Sequence, residues 1–414
     1  MRVLWLKSDL LLPLDKGGKL RTWHLLRHLA TRHEVTYLAF AEPDTEIVPR
    51  SDSPKGSWRF YVDAAIHLFD PLPYAVGKYR SAAFRRRLND LLRQRAFDVI
   101  VCDFLFPAVN LPRRLPCPAV IFTHNVESEI WRRYAETRTS RRSYWLYSMQ
   151  YRRMLRYEER ALRRFDSVLA VSSADRDTFA RIYPDAIRQP VHVVPTGVDT
   201  HYFTTSPSQT GARELVFTGS MDWLPNEDAM LFFCRDVLPL VRRAPTPAVA
   251  RLREQQGVRV TGRVDDIRPY VRDAAVYVVP LRIGGGTRLK IFEALAMGKA
   301  VVSTSVGAEG LPVTGGEHVM VADSPETFAR EIVHLLRDID HRRRLETAAR
   351  ALVVERYDWS AVAGKLEQAL VRITGQTRGS ADARASAGRD PSTEGAPSAL
   401  PDLHGAGREA TRTT

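Results

Sequence analysis

Apolar residues along this chain fall into short runs that alternate with stretches of helical period. "RVLWL" after Met1, "EVTYLAF", "DVIVCD" (Asp98 to Asp103), "AVIFTHN" (Ala119 to Asn125) and "SVLAVS" (Ser167 to Ser172) are continuous apolar strands. Between the first two, "KSDLLLPLDKGGKL" reads as a loop and "RTWHLLRHLATRH" as a helix, with Trp23, Leu26 and Leu29 at helical spacing. Strands without a polar face are buried on both sides, so their alternation with helices predicts a parallel sheet covered by helices on each face. "VHVVPTGVDTHYF" closes this half with a strand, a Pro-Thr-Gly turn and a connector.

At "ELVFTGSMDW" the pattern restarts. Strands are predicted at "VRVTG" (Val258 to Gly262), "AVYVVPL" (Ala275 to Leu281), "AVVST" (Ala300 to Thr304) and "HVMVA" (His318 to Ala322), with a last helix across "WSAVAGKLEQALVRI". Two successive doubly wound α/β halves place a ligand cleft between them, at the carboxyl ends of the strands. The expected division is 1–195 for the first domain, 196–374 for the second, and a disordered tail from Gly375, rich in Gly, Ala, Ser and Pro. One element is missing. Between "VFTGS" and "VRVTG", the stretch "DAMLFFCRDVLPLVRRAPTPAVARLREQQ" runs from helix to helix without the strand expected there. The second sheet should then have unpaired edges unless its neighbours close up.

The 414 residues, 44% of them hydrophobic, supply ample core. No run approaches a membrane span, and Lys7 and Asp9 come too early for a signal peptide. Cys102, Cys117 and Cys234 lack metal-ligand spacing and fit a reduced, cytosolic protein. The net charge of +13 admits nucleic acid, an anionic membrane face or phosphorylated substrates, and equally a solvated arginine-rich surface. No nucleic-acid-binding module is present and the arginines are dispersed, so nucleic acid is not an expected partner. In "TRTSRRSYWLYSMQYRRMLRYEERALRRF", however, arginines are interleaved with Tyr144, Trp145, Tyr147 and Tyr151. As a helix this segment either turns cations and rings toward an anionic lipid surface or packs its rings inward.

Chemistry concentrates in "LRIGGGTRLKIFEALAMGKAVVSTSVGAEGL" (Leu281 to Leu311). The glycines leave the carboxyl end of a strand, and a helix begins near Thr287 and ends at Gly298. Glycines before a helix N-terminus let backbone N–H groups reach an anion, and Arg288 and Lys290 add positive charge. The same run also suits a tight turn with no ligand. Glu293, in the first turns of this helix, is placed to accept hydrogen bonds from vicinal hydroxyls, as acids do with ribose in dinucleotide folds, or is a solvated surface acid. Together these residues point to a nucleotide diphosphate.

"GGGTRLKIFEALAMGKAVVSTSVGAEGL" resembles the donor-site signature of glycosyltransferase family 4, the retaining transferases of GT-B fold. The resemblance extends through "GGKLRTWHLLRHLATRHEVTYLAF", "FTHNVESEIW", "VPTGVDTHYF", "FTGSMDWLPNEDAMLFF" and "VTGRVDDIRPYVRDAAVYVVPL", in that order. It is strongest toward bacterial members of exopolysaccharide and cell-envelope glycan assembly. The resemblance implies two Rossmann-like domains facing across a cleft. It also implies transfer of a hexose-type sugar from a nucleotide-diphosphate sugar to a glycan or polyprenyl-linked acceptor, in the cytoplasm or on the inner membrane face. Glu293 would hold the ribose. Gly285, Gly286 and Thr287 would present amides to the diphosphate, with Gly219 at the end of the first donor-domain strand and Arg288 or Lys290 neutralising the leaving group. Gly17 and Gly18 would face the donor phosphate or the acceptor. His124, which on the residues alone suits a structural histidine at a strand end, would contact the transferred sugar. Asn125 and Glu127 would touch the acceptor or support the residues that do. No cofactor and no metal are expected. Two features depart from the family pattern: its first acidic position falls at Gly285, and the Arg and Lys that usually follow the first donor-domain strand are replaced by "SMDWLPNE". With the missing strand, they leave open a degenerate homologue that binds donor weakly.

Overall fold

The first half of the chain forms six parallel strands: β1 (Arg2–Lys7), β2 (Glu34–Ala39), β3 (Val99–Asp103), β4 (Ala119–Phe122), β5 (Ser167–Ala170) and β6 (His192–Val193), in the order β2-β1-β3-β4-β5-β6. This is a computed structural model, and it describes residues 1–14, 17–40, 70–136, 140–205, 213–221, 224–243, 258–283 and 289–387. Side chains alternate across the pleat. Leu4, Leu6, Ile100, Cys102 and Ile121 enter one core, which the helices Ala82–Gln94, Arg141–Leu162 and Ser173–Ile182 cover. Val3, Trp5, Val99, Val101, Val120 and Phe122 enter the other.

That second core is closed by two helices from opposite ends of the sequence. Gly17–Leu29 contributes Leu25, Leu26 and Leu29, and the last helix, Trp359–Ala387, contributes Val362, Leu366, Leu370 and Ile373. Residues 359–374, expected in the second domain, thus complete the first, because their apolar stripe fills the face that Gly17–Leu29 leaves uncovered. The same helix runs on to Ala387, past Gly375, where the tail is expected to begin; alanine-rich "ADARASA" readily extends a helix already nucleated. Met1–Thr374 is one compact unit and Gly375–Thr414 a second.

The chain leaves the first sheet after β6 and returns beside its own exit. Val198 bridges Asp358, Val198 N donates to Tyr357 O at 2.8 Å, and Thr200 Oγ1 donates to Asp358 Oδ2 at 2.6 Å. Gly197 is needed here: a Cβ would stand 2.6 Å from the Trp359 ring.

Between these crossings lies a four-stranded parallel sheet of order β10-β9-β8-β7, with β7 (Leu215–Val216), β8 (Val276–Val279), β9 (Ala300–Ser303) and β10 (Met320–Val321). The helices Leu289–Ala296 and Ile339–Arg356 pack on one face, and Leu224–Phe232 and Pro325–Arg337 on the other. Gly298, at φ +66°, ends the helix Leu289–Ala296 in the left-handed conformation glycine favours.

The strand expected at Val258–Gly262 does not form. Residues 258–262 carry no strand pairing, and Val258 and Val260 are 53% and 81% exposed. A strand at the sheet edge needs a paired neighbour, and none pairs with these residues among the described ones. Among the described residues the sheet therefore ends at β7. The preceding helix is continuous from Leu224 to Arg243 through a π-helical turn at Phe233–Val237. Among the described residues, no helix is long and apolar enough to cross a membrane.

Candidate active site

In the first sheet the chain winds outward from β1 in both directions, with β2 on one side and β3 on the other. Ligands of such sheets bind at this reversal, beyond the carboxyl ends of the strands. Lys7 ends β1, Asp103 ends β3, and the two are register partners. Both are buried. Asp103 Oδ2 accepts from Lys7 Nζ at 2.7 Å, Thr22 Oγ1 at 2.6 Å and Trp5 Nε1 at 3.1 Å, while Oδ1 accepts from His124 Nε2 at 2.7 Å. Burial alone would raise the Asp103 pKa, but Lys7 and His124 hold it below the usual carboxylate range.

An ionised Asp103 fixes the tautomer of His124: Nε2 carries the proton and Nδ1 remains the acceptor. Burial, aided by the nearby charge of Arg21, pushes the imidazole down to about 3 despite Asp103. Its ring stacks on Phe104. Gly18 lies against the same pair, since a Cβ there would stand 3.5 Å from Phe104 and 3.8 Å from His124.

Gly17 and Gly18, expected in a loop, are the first residues of the helix Gly17–Leu29, where backbone N–H groups lack intrahelical acceptors. Thr22 anchors this turn to the buried carboxylate, its Oγ1 lying 2.9 Å from Gly18 O. Gly17 faces the second domain: a Cβ there would come within 2.6 Å of Leu289.

Leu289 opens the helix that carries the other half of the site. Lys290 reaches back to the end of β7, 2.8 Å from Asn226 Oδ1 and 4.2 Å from the Phe217 ring centre. Gly219 gives it room, as a Cβ would lie 2.7 Å from Nζ. Glu293, one turn on, is largely withdrawn from water; burial pushes its carboxyl up to about 7 against the pull of Lys290. Gly285, Gly286, Thr287 and Arg288 fall outside the described residues. Arg133, on the helix Glu127–Glu136, spans the cleft to Glu309 at 3.1 Å.

His124, Gly17 and Gly18 thus gather on one wall, and Gly219, Lys290 and Glu293 on the other. Glu127, expected to touch the acceptor or to support the residues that do, is buried. Glu158 accepts from the backbone N–H groups of Glu127 and Ser128, both at 3.0 Å, and from Tyr183 OH at 2.6 Å. It thereby caps the helix that follows the His124 loop. Lys7, Thr22, Asp103 and Asn226 escaped sequence reading. An aspartate closing the apolar strand "DVIVCD" was the available signal, but its importance depends on strand order.

Two parallel doubly wound domains, joined by paired crossings and meeting at a cleft lined by strand ends, define a GT-B glycosyltransferase. Residues 16–202 match the model for Glycosyltransferase Family 4 and residues 212–338 that for Glycosyl transferases group 1, so the chain carries a glycosyltransferase domain in each half. It is 29% identical over 204 residues to a phosphatidyl-myo-inositol mannosyltransferase of Mycolicibacterium smegmatis, covering 44% of this chain and 52% of the relative. The chain therefore matches about half the length of that curated relative. Sucrose-phosphate synthase from Thermosynechococcus elongatus superposes with a TM-score of 0.65 at 14% identity, covering 91% of this chain and 100% of that one. Anabaena HepE in complex with UDP gives a TM-score of 0.61 at 16% identity, covering 90% and 100%. At these identities the likeness establishes the fold.

Proposed function

We propose that this protein transfers a hexose-type sugar from a nucleotide-diphosphate sugar to a glycan or lipid-linked acceptor, with retention, in exopolysaccharide or cell-envelope polysaccharide assembly. The observation that carries this reading is the pairing across one cleft of an ammonium beside a desolvated carboxyl, Lys290 and Glu293, with a histidine of fixed tautomer, His124. Glu293 accepts the ribose hydroxyls. Lys290, with Arg288, neutralises the diphosphate as the sugar–oxygen bond breaks, a preorganised charge of the kind that supplies much of enzymatic rate enhancement. The acceptor oxygen bonds to the same face of the sugar carbon, and its proton passes to the departing phosphate oxygen. His124 steadies the sugar near that carbon. With Lys290 and Arg288 supplying cationic charge, no metal is required in this scheme. The mannosyltransferase relative and the UDP complex of HepE support a nucleotide-sugar donor.

The acceptor side supports a membrane location. The arginine-rich segment forms the helix Arg141–Leu162, with Arg141, Arg142, Tyr144, Trp145 and Leu146 all exposed. Such cation–aromatic faces suit an anionic lipid surface and would bring a lipid-linked acceptor to the first domain.

A donor panel of UDP-, GDP-, ADP- and dTDP-hexoses, read by mass spectrometry of lipid-linked and free glycan acceptors, tests this function. Sugar transfer from one donor supports it. Absence of both binding and transfer across the panel overturns it. The two-residue edge strand β7 favours a second reading, a homologue that binds donor without turnover. Diphosphate-induced thermal stabilisation without product would identify that case.

A further inference from the structure

Phe104 directly follows β3 in a conformation that a phenylalanine adopts at a cost. Its φ is +77°, the left-handed region that glycine enters freely, and it is the only non-glycine residue there among the described ones. Its peptide is tied on both sides: N donates to Phe122 O at 2.9 Å, and O accepts from Cys102 Sγ at 3.4 Å. Glycine would make the same turn and the same two bonds without strain.

Packing does not account for the ring. Phe104 is half-buried and belongs to neither hydrophobic core of the first domain, although Cys102 and Leu105 enter one of them. Its ring instead lies flat on the His124 imidazole, with centroids 3.8 Å apart and planes inclined by 20°. The Lys7 ammonium, 4.8 Å from the ring centre, and the bare Cα of Gly18 border the same ring. Phe122 also approaches His124, but at 6.0 Å and tilted by 53° it offers no flat contact.

His124 needs such a contact. Asp103 anchors Nε2 and fixes the tautomer, yet a single bond at one corner leaves the imidazole free to turn about it. The histidine χ2 torsion is broad, so it does not define the plane either. A flat ring against one face removes that freedom, and with it the spread of directions in which Nδ1 can accept.

We infer that Phe104 is a positioning residue: its ring, carried on a strained backbone, sets the plane in which His124 offers Nδ1 to the transferred sugar. The inference rests on the function proposed above, in which His124 steadies the sugar near the reacting carbon. It accounts for a phenylalanine where glycine would make the turn more easily.

The test compares the wild type with Phe104→Gly, Phe104→Ala, Phe104→Leu, Phe104→Tyr, His124→Ala and the His124→Ala/Phe104→Leu double variant. Turnover is measured on whichever of the UDP-, GDP-, ADP- and dTDP-hexoses the wild type uses, and affinity for the matching nucleoside diphosphate by calorimetry. Phe104→Leu keeps apolar bulk without a flat face. It should lower kcat about tenfold to a hundredfold, the scale for a misplaced group at a reacting centre. Diphosphate affinity should not change, since that ligand belongs to the opposite wall. Phe104→Tyr should recover most of the turnover, and in the His124→Ala background Phe104→Leu should add nothing. Phe104→Gly should melt above Phe104→Ala, because only alanine carries a Cβ at this φ. Wild-type kcat in Phe104→Leu, losses that add to those of His124→Ala, or a lower melting temperature for glycine than for alanine would overturn the inference. If the wild type turns over none of the four donors, the proposed function itself fails and this inference fails with it.

Discussion

Phe104 and His124 stack with ring centroids 3.8 Å apart and planes inclined by 20°, while Phe104 holds its own backbone at φ +77°. Left-handed conformation at a bulky residue costs on the order of 1–3 kcal/mol and persists only where the surroundings enforce it. Here Phe104 N donates to Phe122 O at 2.9 Å, and the preceding residue is Asp103, whose carboxylate orients the same histidine. One strained turn therefore sets both the edge and the face of His124.

That arrangement makes His124 insensitive to pH where enzymes work. With burial holding its imidazole at about 3, it should stay neutral throughout the range from about pH 5 to 8. Nitrogen-15 histidine spectra of the folded protein should show one resonance pair with a protonated Nε2 that does not move across this range. Titration near the ordinary histidine value would mean that the ring is not withdrawn from water.

Glu293→Gln and Glu293→Ala should weaken nucleoside diphosphate binding by about 1–3 kcal/mol, since the proposed hydrogen bonds from the ribose hydroxyls to its carboxyl are weakened or lost. The same variants should bind 2′,3′-dideoxynucleoside diphosphates as the wild type does, because that ligand has no diol to lose. Calorimetry with both ligands decides this, and equal affinity of wild type and variants for the ordinary diphosphate would remove Glu293 from the site. On the proposed mechanism, in which Lys290 and Arg288 neutralise the diphosphate, treatment with EDTA should leave turnover unchanged.

Glu127 sets a pH dependence of stability. Burial, then the neighbouring Glu158, raises its carboxyl from 4.5 to about 8, and the donors around Glu158 favour Glu158 as the ionised partner. A carboxyl raised on folding contributes stability that is complete below its unfolded pKa and is lost as pH rises through the folded value. Between those limits the loss approaches about 1.4 kcal/mol per pH unit. Urea denaturation should show the wild type weakening from pH 5 to pH 8 and Glu127→Gln weakening less. Identical slopes would show that Glu127 ionises freely.

Val260→Asp tests the shortened second sheet. A residue 81% exposed and outside any strand should tolerate the change within about 0.5 kcal/mol. A loss of several kcal/mol in thermal or urea unfolding would mean that Val260 sits in a core after all.

Exposed Arg141, Arg142 and Trp145 should drive co-sedimentation with vesicles containing phosphatidylglycerol at low salt, each cation adding about 1 kcal/mol near the surface. Arg141→Glu/Arg142→Glu should reduce recovery, and neutral phosphatidylcholine vesicles should recover little of either protein. Equal recovery with both lipids would leave an ordinary solvated basic face.

The apolar runs specified the strands of the first sheet well, because residues buried on both faces have no polar positions to blur the signal. The same rule misled at "VRVTG": Val258 and Val260 have strand character, but pairing depends on a neighbour that another part of the chain must provide. Helix existence was clear, whereas Gly17 and Gly18 looked like loop because glycine disfavours helices; as the opening residues of one, they leave Gly17 bare beside Leu289. Glu293 and Lys290 stood out through their place beyond a glycine run. Asp103, Lys7 and Asn226 did not, since each matters only through a partner distant in sequence, and no local pattern marks such a meeting.

The closure of the first core by Val362, Leu366, Leu370 and Ile373 also bears on the order in which the molecule is made. The strands that these residues cover are complete by Val193, yet the covering helix starts at Trp359. At about 5–20 residues per second, the ribosome takes roughly ten to forty seconds to span that interval. Throughout it the part of that face left uncovered by Gly17–Leu29 stays open, while the second sheet gains its last strand by Val321 and its last covering helix by Arg356. The domain begun first is therefore finished last, and a chaperone that shields nascent apolar surface would find its longest-lived target there.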